Sequence, residues 1–207
     1  MTSKNNIKTD VVVPIEFEEI RGLALTNCGY WNADIEGGIR NWKLKQKFRA
    51  EISWHIPTQS LLQILVKYSP IVSIGSGYAY TESEAIKIGA DIIATDINPN
   101  KKNKWCKRGK FFMEVEELNA FQSVRKYADR NVFLAWPPYS ENMASQVAKN
   151  MKTGKYLVYI GEGVGGCTGD DGFFNCLEKD FKEINMKAKI YSFWGLHDFL
   201  RIFKKIN

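Results

Sequence analysis

The sequence predicts an α/β protein with a doubly wound, mostly parallel sheet of seven strands and a C-terminal antiparallel hairpin. From about residue 57 onward, apolar strand segments alternate with segments of helical periodicity, which is typical of this class. The strand segments are nearly continuous apolar runs, as expected for strands that helices cover on both faces. The last two strand segments are separated by only four residues, which favours a hairpin.

The predicted elements follow one another without long interruptions. Pro57 suits the first turn of a helix, and Pro70 ends that helix and precedes the first strand. The predicted strands are 71–75, 91–96, 111–115, 131–136, 156–161, 188–194 and 199–205. The predicted helices are 57–69, 82–90, 120–128, 141–151 and 173–181.

The chain divides into two parts by pattern. Residues 57–207 carry the alternating elements and form the main domain. Residues 1–56 show no clear periodicity, and we expect them to be an N-terminal extension that packs on the core. A chain of 207 residues with 44% hydrophobic and 25% charged residues is long enough to bury a core of its own.

Composition narrows the classes of function. The four cysteines form no C-x-x-C pair and there are only two histidines, so we expect no metal site. Reduced cysteines and the absence of an apolar leader favour a cytoplasmic protein. No apolar run approaches the ~20 residues of a membrane span. The sequence does not indicate an oligomeric state.

The stretch "VSIGSGYAYTESEAIKIGADIIATDINP" (72–99) predicts a nucleoside site. Gly75 and Gly77 follow the first strand and allow the backbone to turn tightly beside a ligand. Asp96 ends the second strand 21 residues after Gly75, close to the ~20 typical of an acidic residue that binds a ribose. Tyr80 stands where a dinucleotide site has its third glycine, which disfavours a nicotinamide oxidoreductase.

The start of the following helix indicates a ligand without phosphates. Pyrophosphate binds to an open helix N-terminus, but Tyr78, Tyr80 and Glu82 make this one bulky and acidic. Such a surface suits a ligand with a positive centre. S-adenosylmethionine, which has a ribose, a sulfonium and an amino acid tail, fits this description.

The chain resembles the class I S-adenosylmethionine-dependent methyltransferases over about residues 57–205. The first motif of that family is an acidic residue followed by G-x-G-x-G, and "SIGSGYA" has Ser73 for the acid and Ala79 for the last glycine. The resemblance implies a Rossmann-like fold and S-adenosylmethionine as cofactor. It also places Glu116 or Glu117 near the adenine, although either residue also suits a solvated helix start. The cofactor-binding residues predicted in this way are Gly75, Ser76, Gly77, Tyr78, Asp96 and Glu116.

The "LAWPPY" stretch (134–139) is similar to the [N/D/S]-P-P-[Y/F] motif of amino-methyltransferases. In that motif the first residue and a proline carbonyl accept hydrogen bonds from the target amine. Trp136 stands first here, and an indole donates one hydrogen bond and accepts none. Trp136 and Tyr139 are therefore predicted to form an aromatic wall for the acceptor, beside Pro137 and Pro138; the alternative is a core plug at the strand end.

The glycine-rich segment 161–174 is too long for a tight turn and is predicted to cover the active site. Glu162 stands at the end of the fifth strand, where it would act as a base or bind a substrate amine. Asp170 and Asp171 precede a helix and are expected to cap it.

A narrower resemblance is to an uncharacterised microbial family of methyltransferase-like proteins. Its motifs occur here in the same order as "SWHIPTQ", "IGSGYAY", "WPPY", "GEGVGGCTGDD" and "GLHDFL". This resemblance implies that residues 53–57 and 195–198 border the pocket. Trp54, His55 and His197 are then candidates for substrate contact, although a lone histidine is more often structural.

Two lysine-rich stretches, 40–49 and 100–110, are candidate surfaces for nucleic acid, or else are simply solvated. The net charge of +6 agrees with either interpretation. The leading hypothesis is a methyltransferase whose acceptor is RNA, a protein or a small molecule. The alternative is an inactive methyltransferase-like scaffold that binds RNA or a protein partner.

Overall fold

The computed structural model describes residues 10–23, 25–26, 35–99, 105–106, 110–186, 188, 190–193 and 195–207. After a 3₁₀ turn at Ile15–Phe17, the helices in these residues are α1 (Ile20–Leu23), α2 (Ile35–Glu51), α3 (Gln59–Lys67), α4 (Tyr80–Lys87), α5 (Ala120–Lys126), α6 (Met143–Asn150) and α7 (Asp171–Asp180). The strands are β1 (Leu25–Thr26), β2 (Ile71–Ile74), β3 (Ile92–Asp96), β4 (Val115–Glu117), β5 (Asn131–Ala135), β6 (Tyr156–Gly161), β7 (Phe181–Ile184), β8 (Tyr191–Ser192) and β9 (Phe199–Lys205).

The main sheet confirms the predicted fold class. In the described part of the chain it has seven strands in the order β4-β3-β2-β5-β6-β9-β7. The first five in that order are parallel, whereas β9 is antiparallel to both β6 and β7. The chain moves outward in opposite directions from β2, so the carboxyl end of β2 is a topological switch point, where ligands bind in such sheets.

Helices cover both faces of the sheet, which explains the apolar strands. Val72 and Tyr159 belong to one buried cluster, which includes the apolar side chains of α6 and α7. Ile71 and Phe133 belong to a second cluster, which includes those of α3. Helix α3 begins after Thr58, whose hydroxyl accepts a 3.1 Å hydrogen bond from the amide of Leu61. Burial on two faces therefore produces the continuous apolar runs.

The antiparallel strands differ from the predicted hairpin in one partner. Of the described residues in the predicted strand 188–194, Tyr191 and Ser192 pair with β1 in a separate two-stranded sheet and not with β9. The partner of β9 is β7, a segment predicted to end a helix or to lie beyond it. Phe181 leaves the helical conformation, with φ −130° and ψ 151°, and Glu183 accepts hydrogen bonds of 2.9 and 2.7 Å from Arg201 across the strand pair. Long-range pairing therefore outweighs the helical pattern.

Two further predictions of local structure were wrong. The third parallel strand is β4, at Val115–Glu117, rather than 111–115. The N-terminal part contains the 17-residue helix α2, although the sequence shows no clear period there. Gly37 and Gly38 lie within this helix and lower its intrinsic propensity, so packing must stabilise it.

The N-terminal residues contribute a third buried cluster. It joins Phe17 and Phe48 to Tyr80, Tyr191 and Phe193 of the main domain. The ring centroids of Phe48 lie 5.4 Å from Phe17 and 5.8 Å from Phe193, with edge-on geometry. A division of the chain at residue 56 stays a prediction. None of the helices in the described ranges is both long and apolar enough to cross a bilayer.

Candidate functional site

A cavity of about 940 Å³ opens at the carboxyl ends of the parallel strands. Its volume is near the upper limit of the ~300–1,000 Å³ typical of ligand pockets, so it has room for more than one small ligand. The predicted site residues that line it are Trp54, Gly75, Gly77, Asp96, Trp136, Pro137, Pro138 and Tyr139. The sequence thus identified residues from three segments that meet at one cavity.

The turn after β2 needs its glycines. Gly75 and Gly77 have φ values of +69° and +58°, in the left-handed region that L side chains rarely adopt. A Cβ atom on Gly75 would lie 2.4 Å from Cε of Met143. Ala79, which stands where the resemblance expects the last glycine, keeps the left-handed backbone with φ +56°. The turn therefore has a left-handed backbone at the substituted position as well as at the two glycines.

Asp96 faces the cavity and also anchors the turn. Its Oδ2 accepts a 3.0 Å hydrogen bond from the amide of Gly77, and Oδ1 accepts a 3.5 Å bond from the amide of Asn98. Burial raises the pKa of this carboxyl, while the hydrogen bonds from backbone amides oppose the rise. The carboxylate is thus fixed beside the glycine turn with part of its surface on the cavity wall.

A recess of about 50 Å³ lies beside the same turn. Ser76 and Tyr78 line it, and Tyr78 is buried with its hydroxyl donating a 2.7 Å hydrogen bond to the carbonyl of Ala50. The hydroxyl of Ser76 is buried without a hydrogen-bond partner. Glu82, from the first turn of α4, also lines the recess. The crowded helix start predicted from the sequence therefore forms a second, smaller compartment.

Trp136 and Trp54 form one aromatic wall of the cavity. Their ring centroids are 5.7 Å apart with an interplanar angle of 34°, and the guanidinium carbon of Arg49 lies 3.6 Å from the Trp54 ring centroid. Trp136 has a left-handed backbone, with φ +51°, and its Nε1 donates a 2.9 Å hydrogen bond to Oδ1 of Asp198. The indole donor is therefore directed at a carboxylate of the protein.

Asp198 and Arg49 contribute to this wall, although the sequence did not single them out. Asp198 is fully buried, and burial raises its pKa to about 7, against the lowering effect of the Trp136 hydrogen bond. Its Oδ2 and the Nε of Arg49 are both buried without a hydrogen-bond partner. Two features of the sequence could have identified these residues: Asp198 belongs to the "GLHD" motif, and Arg49 belongs to the basic stretch 40–49.

The glycine-rich segment packs against the two prolines. The carbonyl of Pro137 accepts a 2.9 Å hydrogen bond from the amide of Gly169, and Pro138 forms a bridge with Thr168. Tyr139 lies at the cavity rim and is 62% exposed. The segment 161–174 thus covers the "WPPY" turn and uses one proline carbonyl that the motif offers to an acceptor.

Glu162 connects two loops and does not line the cavity. Its Oε2 accepts a 2.6 Å hydrogen bond from the amide of Cys167, and its Oε1 accepts a 2.9 Å bond from the amide of His197. Burial acts to raise the pKa of Glu162, but these amide donors outweigh it and the net pKa is lowered. His197 therefore meets Glu162 through its backbone, and neither residue is among those on the cavity wall.

Glu116 also lies away from the cavity wall. Its carboxylate accepts hydrogen bonds from the Lys126 ammonium and from the Tyr127 hydroxyl. Leu118 and Asn119, two and three residues further along the chain, line the cavity instead. The residue of this segment that reaches the cavity wall is thus two positions beyond the one that the sequence predicted.

The remaining predicted contacts are distributed as follows. His55 is buried in the recess, where Nε2 lies 2.9 Å from the Thr81 hydroxyl and burial lowers the pKa to about 3. Stretch 40–49 lies on α2, and most of stretch 100–110 is outside the described residues. Within the described ranges, no three His, Cys, Asp or Glu side chains come together as a metal site.

The chain is similar to solved structures. Magnesium protoporphyrin IX methyltransferase from Synechocystis PCC 6803, determined with bound S-adenosylmethionine, matches with a TM-score of 0.50 and 12% identity, over 92% of this chain and 91% of that chain. The chain has a class I methyltransferase-like fold. A second methyltransferase-fold match is 1,6-didemethyltoxoflavin-N1-methyltransferase from Burkholderia thailandensis, with a TM-score of 0.47 and 10% identity over 89% of this chain and 95% of that chain. No family model and no curated protein sequence matches the chain.

Proposed function

We propose that the protein is an S-adenosylmethionine-dependent methyltransferase. One observation carries the proposal: the glycine turn and Asp96 are hydrogen-bonded to each other on the wall of a large cavity, at the switch point of a methyltransferase-like fold. The turn brings backbone to the cavity without a Cβ atom, and the carboxylate is held where it can accept two hydroxyl donors. These features fit the nucleoside part of the cofactor.

The residues of the cavity divide the proposed work between them. When bound, S-adenosylmethionine supplies an electrophilic methyl group. Asp96 binds the ribose hydroxyls, and Leu118 and Asn119 border the base. Trp54 and Trp136 offer flat apolar surfaces to the acceptor. Their contribution is orientation and exclusion of water, which supply much of the rate in a displacement reaction.

The acceptor that this cavity suits best is a small molecule with a flat apolar body. Trp54 packs edge-on against Trp105 at 5.5 Å, so three indoles border the same space. Such a site gains its binding energy from aromatic stacking and apolar burial. The covering loop would then be shaped by Glu162, His197, Tyr139 and the two prolines. The Glu162 carboxylate and the Pro137 carbonyl already accept hydrogen bonds from backbone amides.

The proposal is tested by calorimetric titration of the full chain with S-adenosylmethionine and S-adenosylhomocysteine. We expect binding in the micromolar range and a loss of at least about a hundredfold in Asp96→Ala, which removes a charged acceptor and frees the turn. Asp91→Ala is the matched control, because Asp91 precedes the same strand at its other end and pairs with Arg130 on the surface. Equal affinity in both variants would contradict the proposal.

A second candidate function is a scaffold that binds RNA or a protein without catalysis. It is favoured because the "WPPY" turn offers a target amine few hydrogen-bond acceptors. Trp136 is a donor, to Asp198, and the Pro137 carbonyl already accepts a hydrogen bond from the amide of Gly169. The basic stretches 40–49 and 100–110 would supply the contacts with nucleic acid. Salt-dependent binding of single-stranded RNA, together with no binding of either nucleoside ligand, would favour this function.

We further propose a cytoplasmic location. The described cysteines Cys106, Cys167 and Cys176 are all free, which agrees with a reducing compartment. Fractionation of cells that produce the protein would test this, and recovery from an oxidising compartment would contradict it.

A further inference from the structure

Arg49 presents a cation to the part of the cavity that Trp54 and Trp136 border. It lies in the last turn of α2, and its guanidinium carbon is 3.6 Å from the ring centroid of Trp54 and 5.5 Å from that of Trp136. Cys167 and Leu196 line the cavity together with these residues. A planar cation is therefore stacked on the aromatic wall that we assign to the acceptor.

The guanidinium of Arg49 has no anionic partner among the described residues. Its Nε is buried without a hydrogen-bond partner, and none of the ion pairs in the described ranges includes Arg49. Burial is the main cause that lowers the pKa of Arg49, against the raising effects of Asp198 and Cys167. Arginine stays charged in proteins, so a ligand that supplies the missing anion would stabilise this partly buried cation.

The buried carboxylates Asp198, Glu82 and Glu162 adjoin this wall, but other groups hold each of them. Asp198 accepts the hydrogen bond from Nε1 of Trp136, and burial raises its pKa to about 7. Glu82 lines the recess, where its Oε1 accepts a 2.5 Å hydrogen bond from the hydroxyl of Ser73, and burial raises its pKa to about 7 as well. Glu162 accepts from two backbone amides. The first two are only partly ionised at neutral pH, so they do not cancel the positive charge of the guanidinium.

The two indoles set the shape of the group that can reach this cation. The rings of Trp54 and Trp136 lie 5.7 Å apart at an interplanar angle of 34°, so together they form a broad apolar surface. The indole donor of Trp136 is already directed at Asp198, and the carbonyl of Pro137 already accepts from the amide of Gly169. A flat ligand that carries hydrogen-bond acceptors complements this wall better than an amine does.

We infer that the methyl acceptor is a flat aromatic acid, whose carboxylate pairs with Arg49 while its ring packs on Trp54 and Trp136. The inference rests on the proposed function and narrows the acceptor to one chemical class. A guanidinium suits this role because its planar fork can donate two parallel hydrogen bonds to a carboxylate. Arg49 is then a specificity-determining residue that α2, in the N-terminal part of the chain, brings to the cavity.

The test compares two probes that have the same ring and differ in charge, naphthalene-2-carboxylate and naphthalene-2-carboxamide. Each is titrated into the full chain by calorimetry, with and without S-adenosylhomocysteine. Wild type is expected to bind the carboxylate at least about tenfold more tightly than the amide. Arg49→Met is expected to weaken binding of the carboxylate by about tenfold to a hundredfold and to abolish this preference. Its affinity for S-adenosylhomocysteine is expected to stay within about threefold of wild type.

Three further variants separate the contact from a general effect of charge or folding. Lys43→Met removes an exposed cation from the same helix away from the cavity wall, and it is expected to leave the affinities for both probes unchanged. Arg49→Lys keeps the charge without the planar fork and is expected to retain part of the preference for the carboxylate. Trp54→Leu removes a stacking surface and is expected to weaken both probes by a similar factor.

The outcomes distinguish this inference from the proposed function. If wild type binds S-adenosylhomocysteine but binds neither probe, or binds both probes equally, the inference is overturned and the proposed function stands. The same holds if Arg49→Met weakens S-adenosylhomocysteine and leaves the carboxylate probe unchanged. If wild type binds the carboxylate probe through Arg49 but does not bind S-adenosylhomocysteine, the proposed function fails, and the assignment of the acid as a methyl acceptor fails with it. Thermal unfolding of each variant identifies any loss that comes from misfolding, and Arg49→Lys decides the question if Arg49→Met does not fold.

Discussion

Nε1 of Trp136 donates a 2.9 Å hydrogen bond to Oδ1 of Asp198, while Oδ2 of the same buried carboxylate has no partner. This hydrogen bond holds Trp136 in an aromatic wall of the cavity and leaves one oxygen of the buried Asp198 carboxylate unsatisfied. Among the charged groups, Glu162 raises the pKa of Asp198, whereas Lys45 and Arg49 lower it. Burial is nonetheless the largest influence and keeps the pKa of Asp198 near 7.

Asp198 is therefore expected to make stability depend on pH. Because its pKa is raised on folding from 3.8 to about 7, its favourable contribution is complete below about pH 4 and is lost as the pH rises through 7. Asp198→Asn should thus gain stability relative to wild type between pH 4.5 and pH 8.5, by on the order of 2 kcal/mol. The measurement is the free energy of unfolding by urea across that range. Glu82 titrates in both proteins and cancels, so parallel curves would contradict the prediction.

Glu162→Gln separates a structural role from a catalytic one. Both carboxylate oxygens accept hydrogen bonds from amides, and a glutamine would present one NH₂ group to another donor. We expect a loss of roughly 2 kcal/mol in the free energy of unfolding and a lower melting temperature. Glu178→Gln, an exposed change on α7, is the control. A variant of wild-type stability without methyl transfer would instead support the role of a base.

Gly75→Ala tests the glycine turn against a matched glycine. Gly89 also has a positive φ, +102°, but a Cβ atom there meets nothing within 4 Å. Both substitutions are expected to cost about 1 kcal/mol of stability or more, because both strain the backbone. Only Gly75→Ala, which crowds Met143 beside the cavity, should also weaken binding of S-adenosylhomocysteine. Equal binding by the two variants would show that the turn does not approach the ligand.

Lys205 is expected to stabilise the fold through a helix end. Its ammonium is buried and donates a 2.6 Å hydrogen bond to the carbonyl of Ala148, in the last turn of α6, and a weaker one to Lys149. Lys205→Met should lower the free energy of unfolding by roughly 1–2 kcal/mol. Lys204→Met, next in the same strand, should have a smaller effect. The measurement is thermal denaturation of both variants, and an unchanged stability of Lys205→Met would contradict this role of Lys205.

Local signals in the sequence were enough to predict the glycine turn and the order of parallel strands. Gly75, Gly77 and Asp96 are recognisable because the tight turn that requires glycine and the spacing from it to the acidic residue both fall within 25 residues of sequence. The partner of β9 was not recognisable, because β7 becomes a strand through its pairing with a segment that follows it in the chain. Local propensity does not predict which distant segment a strand pairs with.

The same limit applies to the site. Arg49 and Asp198 reach the Trp136 wall from segments 87 and 62 residues away in the chain. Neither has a local pattern that distinguishes it from a solvated charge, and only the packed structure reveals an unpaired buried atom on each. Glu82 was noticed in the sequence as a bulky acid, but its bond to Ser73 depends on how α4 packs on β2.

The rings of Tyr80, Tyr191 and Phe193 have a practical consequence for anyone who shortens the protein. They are covered by Phe17, Phe48 and other apolar side chains of residues 10–56, so a clone that starts at Pro57 would present them to water. Such a fragment should precipitate during expression or bind chaperones, whereas co-production of the missing piece should rescue its yield.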